Sequence, residues 1–202
     1  MEYYGFFNGD QDYGQDEFNR YFDNIYESGV SVENDNMTLG VTKTANGVTV
    51  DKGFAIIKGF YLYSDTVKTI NISRDANYDR IDRVVIRLNL SDRKVSIELK
   101  QGTPGSAPIA PTLQRDNLIY ELSLAQIKVP KSGDFAIMDE RFREDLCGAI
   151  RPKNLTEFNT MIKGLQKQFD DWFAKQQGQG WRTIYIQSAQ PTGSVVSGSL
   201  WI

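Results

Sequence analysis

The clearest pattern in the chain is a run of alternating apolar and polar positions from Tyr78 to Lys100. Val84, Ile86, Leu88 and Leu90 alternate with Val85, Arg87 and Asn89. After Ser91-Asp92-Arg93, Val95, Ile97 and Leu99 alternate with Ser96, Glu98 and Lys100. A period of two on both sides of a short polar break predicts an antiparallel hairpin with one apolar face. Setting Leu90 opposite Val95 places Leu88 opposite Ile97 and Ile86 opposite Leu99. Arg87 then faces Glu98 as an opposite-charge cross-strand pair. A slip of one residue would carry the apolar row to the solvent side, so the pattern specifies which face is buried.

Shorter patterns flank this hairpin. Val30-Val32, Met37-Thr42, Val48-Val50, Phe54-Ile57, Phe60-Tyr63 and Val67-Ile72 read as short strands. The turn signals between them are Asn34-Asp35-Asn36, Asn46-Gly47, Lys52-Gly53 and Lys58-Gly59, of which Asn-Gly is the strongest hairpin cue. Downstream, GTPGSAPIAP (102–111) holds three of the six prolines and predicts an extended surface crossover. Leu118 to Val129 reads as a strand, or a strand with a short helical turn, and Phe135-Ile137 as a last short strand. The charged run MDERFREDLC (138–147) is expected to be a solvated segment leaving the domain, with local ion pairs among Asp139, Glu140, Arg141 and Arg143.

Helical spacing occurs twice. Phe18, Tyr21, Phe22 and Ile25 fall at i, i+3, i+4 and i+7, predicting an amphipathic helix over 15–28 whose aromatic stripe faces the core. Asp16 and Glu17 suit its N-terminus, and Gly29 is expected as a left-handed C-cap. Before it, Tyr3, Tyr4, Phe6 and Phe7 form an aromatic arm. That arm either covers its own domain or docks on a neighbouring subunit. The second case runs from Asn154 to Gln176, where Leu155, Phe158, Ile162, Leu165, Phe169 and Trp172 step by 3, 4, 3, 4 and 3. These are a and d positions of a heptad seam, and Asn154 with Glu157 makes a capping-box-like start. The stripe can lie on its own domain or pair with copies of itself. Its 3.5-residue period favours self-association, and the bulk of Phe and Trp favours three chains over two.

These elements predict a mainly β chain: an antiparallel β-sandwich or barrel with an N-terminal amphipathic helix and a C-terminal heptad-patterned helix. The expected parts are an aromatic arm and helix (1–29), a β domain (30–148), a coiled-coil-like helix (149–180) and a tail (181–202). The tail ends on Leu200-Trp201-Ile202 and is expected to lead to a further module.

Composition narrows the chemistry. At 202 residues and 40% apolar, the chain holds one domain, or one with an appendage. A net charge of −3 argues against a general nucleic-acid or anionic-membrane surface. No stretch reaches the roughly 20 apolar residues that span a bilayer, and MEYYGFFNGDQD has no basic n-region of a secretory signal. Cys147 is the only cysteine, which excludes an internal disulfide and a Cys-cluster zinc site. Histidine is absent, which removes Ser-His-Asp and Cys-His catalysis and His-ligated zinc. Asp10, Asp12 and Asp16 miss calcium-loop spacing. No cofactor or metal is therefore expected. An enzyme would have to run on carboxylates, Lys or Tyr, and the adjacent pair Asp139 and Glu140 would point to opposite faces of a strand, a poor arrangement for flanking one bond.

The run YDRIDRVVIRLNLSDRKVSIELKQGTPGSAPIAP, followed by YELSLAQIKVPKSG and DERFREDLCG, resembles the N-terminal region of tail-fibre and upper-baseplate structural proteins of tailed bacteriophages and prophages. The opening FFNGDQDYGQDEFNRYFDNIYESGV is similar to that group as well, and QPTGSVVSGSLWI looks like the junction before further fibre modules. The resemblance implies a virion component, commonly trimeric, assembled in the host cytoplasm, whose N-terminal domain attaches a fibre to other tail or baseplate proteins. It further implies that receptor binding belongs to distal modules. On this reading Tyr3, Tyr4, Phe6 and Phe7 dock, and the six residues of the heptad seam trimerise. An alternative is a carbohydrate-binding module for the host surface, built on the aromatics and the β architecture.

Overall fold

The structure, a computed structural model, describes residues 12–153, 156–178, 184–185 and 200–201, with side chains over 12–153 and 159–175. Tyr3, Tyr4, Phe6, Phe7, Asn154, Leu155 and the side chains of Glu157 and Phe158 lie outside the described residues. The chain separates into two compact units, Met1–Lys153 and Asn154–Ile202.

The first unit begins with helix α1 (Gln15–Ile25). The strands β1 (Gly29–Val30), β2 (Val32–Glu33), β3 (Asn36–Met37), β4 (Val41–Thr44), β5 (Gly47–Val50), β6 (Gly53–Ile57), β7 (Phe60–Ser64) and β8 (Lys68–Asn71) follow. Three longer strands, β9 (Arg80–Asn89), β10 (Lys94–Lys100) and β11 (Ile119–Val129), precede a short β12 (Ala136–Asp139). They form a four-stranded sheet in the order β10-β9-β11-β12, two three-stranded sheets, β1-β6-β7 and β4-β5-β8, and the ribbon β2-β3. The architecture is mainly antiparallel β, and among the described residues no sheet closes into a barrel.

Turn chemistry explains the short hairpins. Asn34 and Asp35 (φ 49° and 63°), and Lys58 and Gly59 (φ 51° and 78°), supply the paired positive φ of two-residue type I′ loops. Asn46-Gly47 does mark a hairpin, but Thr44 pairs with Gly47, so the loop is Ala45-Asn46 and Gly47 opens β5. Glycine is required there because a Cβ would sit 2.1 Å from the carbonyl oxygen of Ile70.

The central hairpin forms with its apolar face as expected but in a register two residues away. Leu88 pairs with Val95, Ile86 with Ile97 and Val84 with Leu99. A shift of two leaves every side chain on its own face, so hydrophobic alternation cannot distinguish the two registers and the turn decides. The loop spans Leu90 to Arg93, with Arg93 at φ 52°. Asn89 closes it: its amide donates to Asp92 Oδ2 at 2.7 Å, and its Oδ1 accepts the Asp92 N–H at 3.1 Å. Arg87 therefore meets Glu98 diagonally, at 3.9 Å.

β11 is a continuous strand with a bulge, not a strand with a helical turn. Ser123 pairs with Val85 and Ala125 with Val84, leaving Leu124 as the extra residue. The bulge shifts the apolar phase, so Leu122, Leu124, Ile127 and Val129 all reach one core with Val84, Ile86 and Leu88. Val30, Leu39, Val48, Val50, Ala55, Ile57 and Ile72 cover that apolar row and complete the cluster.

Two expectations for the N-terminal helix are overturned. Its aromatic stripe is not core: Phe18, Tyr21 and Phe22 are 40–48% exposed. The helix instead sets its Asn19 side on the β6–β7 turn, where a Cβ on Gly59 would come within 2.2 Å of the Asn19 carbonyl oxygen. Gly29 is not a C-cap. The helix ends at Ile25 with Tyr26 extended, and Gly29 is a buried strand residue. A Cβ there would lie 2.6 Å from the backbone of Gly148 and Ala149, so its lack of a side chain admits the returning chain.

The second unit contains helix α2 (Thr156–Gly178) and two short strands, β13 (Ile184–Tyr185) and β14 (Leu200–Trp201), which pair in parallel. Among the described residues, no helix is long and apolar enough to cross a membrane.

Candidate functional site

Three features of the described residues bear on function: a buried charge layer, a latch at the end of the first unit, and the face of α2.

The charge layer lies on the side of β9 and β11 opposite the apolar core. Two carboxylates there, Glu121 and Glu140, are fully buried. Glu121 accepts hydrogen bonds from Arg87 Nη1 (2.5 Å), Lys100 Nζ (2.6 Å) and the backbone N–H of Gln114 (2.7 Å). Glu140 accepts from Ser123 Oγ (2.5 Å), Gln126 Nε2 (2.5 Å) and Arg83 Nη2 (3.3 Å). Arg83 Nε is 3.0 Å from Glu140 Oε2 without the alignment of a hydrogen bond, so this contact is Coulombic. Arg83 Nη1 donates to the carbonyl of Pro111 at 2.7 Å. Arg115 donates to the carbonyls of Glu121, Asp145 and Leu146. The layer thus ties the proline-containing crossover and the 139–148 segment to the sheet.

The expectation that residues 138–147 form a solvated exit is corrected by this geometry. Glu140 and Cys147 are buried. Asp139 and Glu140 do point apart: Asp139 is paired with Arg141 at 2.6 Å on the outer side, and Glu140 with Arg83 inside. Burial pushes the Asp139 carboxyl up, but hydrogen bonds from the Arg141 side chain and backbone more than offset it and hold it below the usual range. Arg141 also donates to the carbonyls of Met37 and Thr38, fixing the bend before Leu39. Burial pushes the Cys147 thiol up to about 12.

The latch joins the two ends of the first unit. Val30 N–H donates to Gly148 O (3.0 Å) and Ile150 N–H to Val30 O (2.9 Å). Glu27 N–H donates to Arg151 O (2.8 Å) and Lys153 N–H to Ile25 O (2.7 Å). Arg151 pairs with Glu27 and with Glu144, and Lys153 with Asp23. Hydrogen bonds to Glu144 and Glu27 raise the Arg151 pKa further above its already high value.

The described part of α2 is exposed along its whole length. Ile162 (44%), Leu165 (53%), Phe169 (56%) and Trp172 (55%), the described seam residues, share one face with Met161 and Phe173. Phe169 packs its ring against Trp172 and Phe173 at centroid separations of 5.9 and 6.1 Å. The charged pair Lys167–Asp171 and the Gln166–Asp170 hydrogen bond occupy the other side. Sequence spacing located this stripe, whereas the charge layer went unread because its partners are 34 and 57 positions apart in the chain.

The chain matches no family model, no curated protein and no solved structure.

Proposed function

We propose that this chain is the N-terminal attachment and trimerisation region of a bacteriophage tail-fibre or upper-baseplate structural protein. The observation that carries the reading is the exposed apolar face of α2. A helix with Ile162, Leu165, Phe169 and Trp172 on one solvent-facing seam and the Lys167–Asp171 pair on the other side buries that seam by association. In this proposal three copies pair through the seam, with Leu155 and Phe158 extending it. The β unit, taken as an antiparallel sandwich, and the aromatic arm carrying Tyr3, Tyr4, Phe6 and Phe7 dock on other tail or baseplate proteins. The role is structural, without catalysis or a cofactor, and its place is the virion.

Light scattering of the full chain at tens of micromolar tests the assembly: a mass three times that of one chain is expected. Ile162→Asp with Leu165→Asp should return it to a monomer, because carboxylates in a desolvated seam are unpaired. A wild type that is strictly monomeric, or a variant of unchanged mass, refutes the seam. Mass spectrometry of purified particles tests the location, with the chain expected among the particle proteins.

A further inference from the structure

We infer that the latch is a tension-responsive clasp that yields in two stages, a short extension at low force and then a stop at Val30. For the source of the tension the inference rests on the proposed attachment role, in which the chain is held through its N-terminal end and pulled through α2.

The path of the force follows from where the two ends of the first unit lie. Lys153, three residues before α2 begins, donates its N–H to the carbonyl of Ile25, and its ammonium pairs with Asp23. Ile25 is the last residue of α1. A pull on the segment before α1 and an opposite pull on α2 therefore meet at the latch before either reaches the four-stranded sheet. Helix α1 is no anchor of its own, since it has no buried residue.

The pairing changes direction along the latch. Tyr26 and Pro152 form an antiparallel bridge, whereas Val30 and Ala149 form a parallel one. In the antiparallel part both pulls act at the same end. The bond between Lys153 and Ile25 (2.7 Å) parts before that between Glu27 and Arg151 (2.8 Å) is stressed. Bonds taken one at a time oppose little force. The ion pairs Arg151–Glu27 and Lys153–Asp23 add little, because their side chains are 35–45% exposed.

At Val30 the geometry reverses. Parallel strands, one pulled from its N-terminal side and the other from its C-terminal side, are pulled from opposite ends. The Val30 N–H to Gly148 O bond (3.0 Å) and the Ile150 N–H to Val30 O bond (2.9 Å) are then stressed together and must fail together. Val30 is also fully buried in the core cluster and paired with Ala55 of β6, so slippage there drags the core with it. The clasp thus gives freely as far as Val30 and resists there. Drawn out, residues 12–29 and 150–153 supply about 70 Å of slack while the sheets stay folded.

Optical-tweezer extension of the full chain tests the clasp, with handles on Asp12→Cys and Asn154→Cys. Ile162→Asp and Leu165→Asp are included so that one chain is pulled whatever the assembly state, which separates this result from the mass measurement. Cys147 is buried and stays unlabelled while the chain is folded. The expected record is a low-force step of about 70 Å, then a higher-force step of about 400 Å as residues 30–149 unfold. Moving the first handle to Glu33→Cys alters no latch residue but reverses the pulling direction. Residues 25–27 are then drawn lengthwise against 151–153, so the first event should need more force. A single event releasing the whole length between the Asp12 and Asn154 handles overturns the clasp. So does a first-event force that stays the same when the handle moves to Glu33.

Discussion

Glu140→Leu is the sharpest probe of the charge layer. The wild-type carboxylate is fully buried and receives Arg83, Ser123 and Gln126. The leucine removes all three interactions and leaves a guanidinium against hydrocarbon. Stranding one member of a buried ion pair costs about 3–5 kcal/mol. Two neutral donors also lose their acceptor, at about 1 kcal/mol or more each. Arg83 keeps its 2.7 Å bond to Pro111, and small shifts let water reach part of the rest, which offsets some of the sum. We expect a net loss of about 4 kcal/mol, lowering the melting temperature by about 10 °C for a chain of this size. The second half of the test is Arg83→Met on the Glu140→Leu background. Replacing the whole pair by apolar groups is often neutral, so the double variant should recover about 2 kcal/mol of the loss. Urea unfolding followed by circular dichroism measures both. Tryptophan emission would not serve, because Trp172, Trp181 and Trp201 all belong to the second unit. A loss below about 1 kcal/mol for Glu140→Leu, or simple additivity in the double variant, would show that the pair does not hold the crossover to the sheet.

Other expectations follow from the latch and the core. Gly29→Ala places a methyl 2.6 Å from the Gly148 and Ala149 backbone and should destabilise by about 2 kcal/mol in the same urea assay; an unchanged midpoint would mean the returning chain is not seated there. Glu144 is held below its ordinary value by hydrogen bonding to Arg151 and then by its charge, and Asp145 similarly by Arg143. Depressed carboxyls stabilise above their unfolded values and lose that contribution as pH falls through the folded ones. Stability should therefore stay level from about pH 7 to 5 and decline below about 4.5, less steeply in Arg151→Met; a midpoint that rises on acidification would contradict the assignment. Cys147, with its thiol raised to about 12 by burial, should react with a disulfide reagent at pH 8 only as fast as the unit opens, and adding urea should speed the labelling. Immediate labelling in buffer would place the thiol at the surface.

What the sequence made legible follows from the range of each signal. Alternation over Val84–Leu99 fixed which face of the hairpin is buried, because period-two patterning is a local property. It left the register open by two residues, since only the Asn89–Asp92 contact inside the loop chooses between equivalent pairings. The bulge left a readable trace: apolar positions step from Leu122 and Leu124 to Ile127 and Val129, a change of parity that an extra residue produces. The α1 stripe misled because amphipathic spacing shows that a face is apolar without showing what meets it. The helix approaches through the Asn19 backbone at Gly59 instead. In the α2 seam, Ile162, Leu165, Phe169 and Trp172 were visible from spacing alone.

The latch has a consequence for how the protein is made. Gly29 and Val30 emerge early from the ribosome, yet the groups that complete their hydrogen bonding, Gly148 and Ile150, are added more than a hundred residues later. Until then β1 has β6 on one side and nothing on the other. Contacts this distant in sequence close slowly and late. Synthesis of the first unit therefore ends with its opening segment being sealed by its closing one, and a nascent chain halted short of Lys153 carries an unfinished edge.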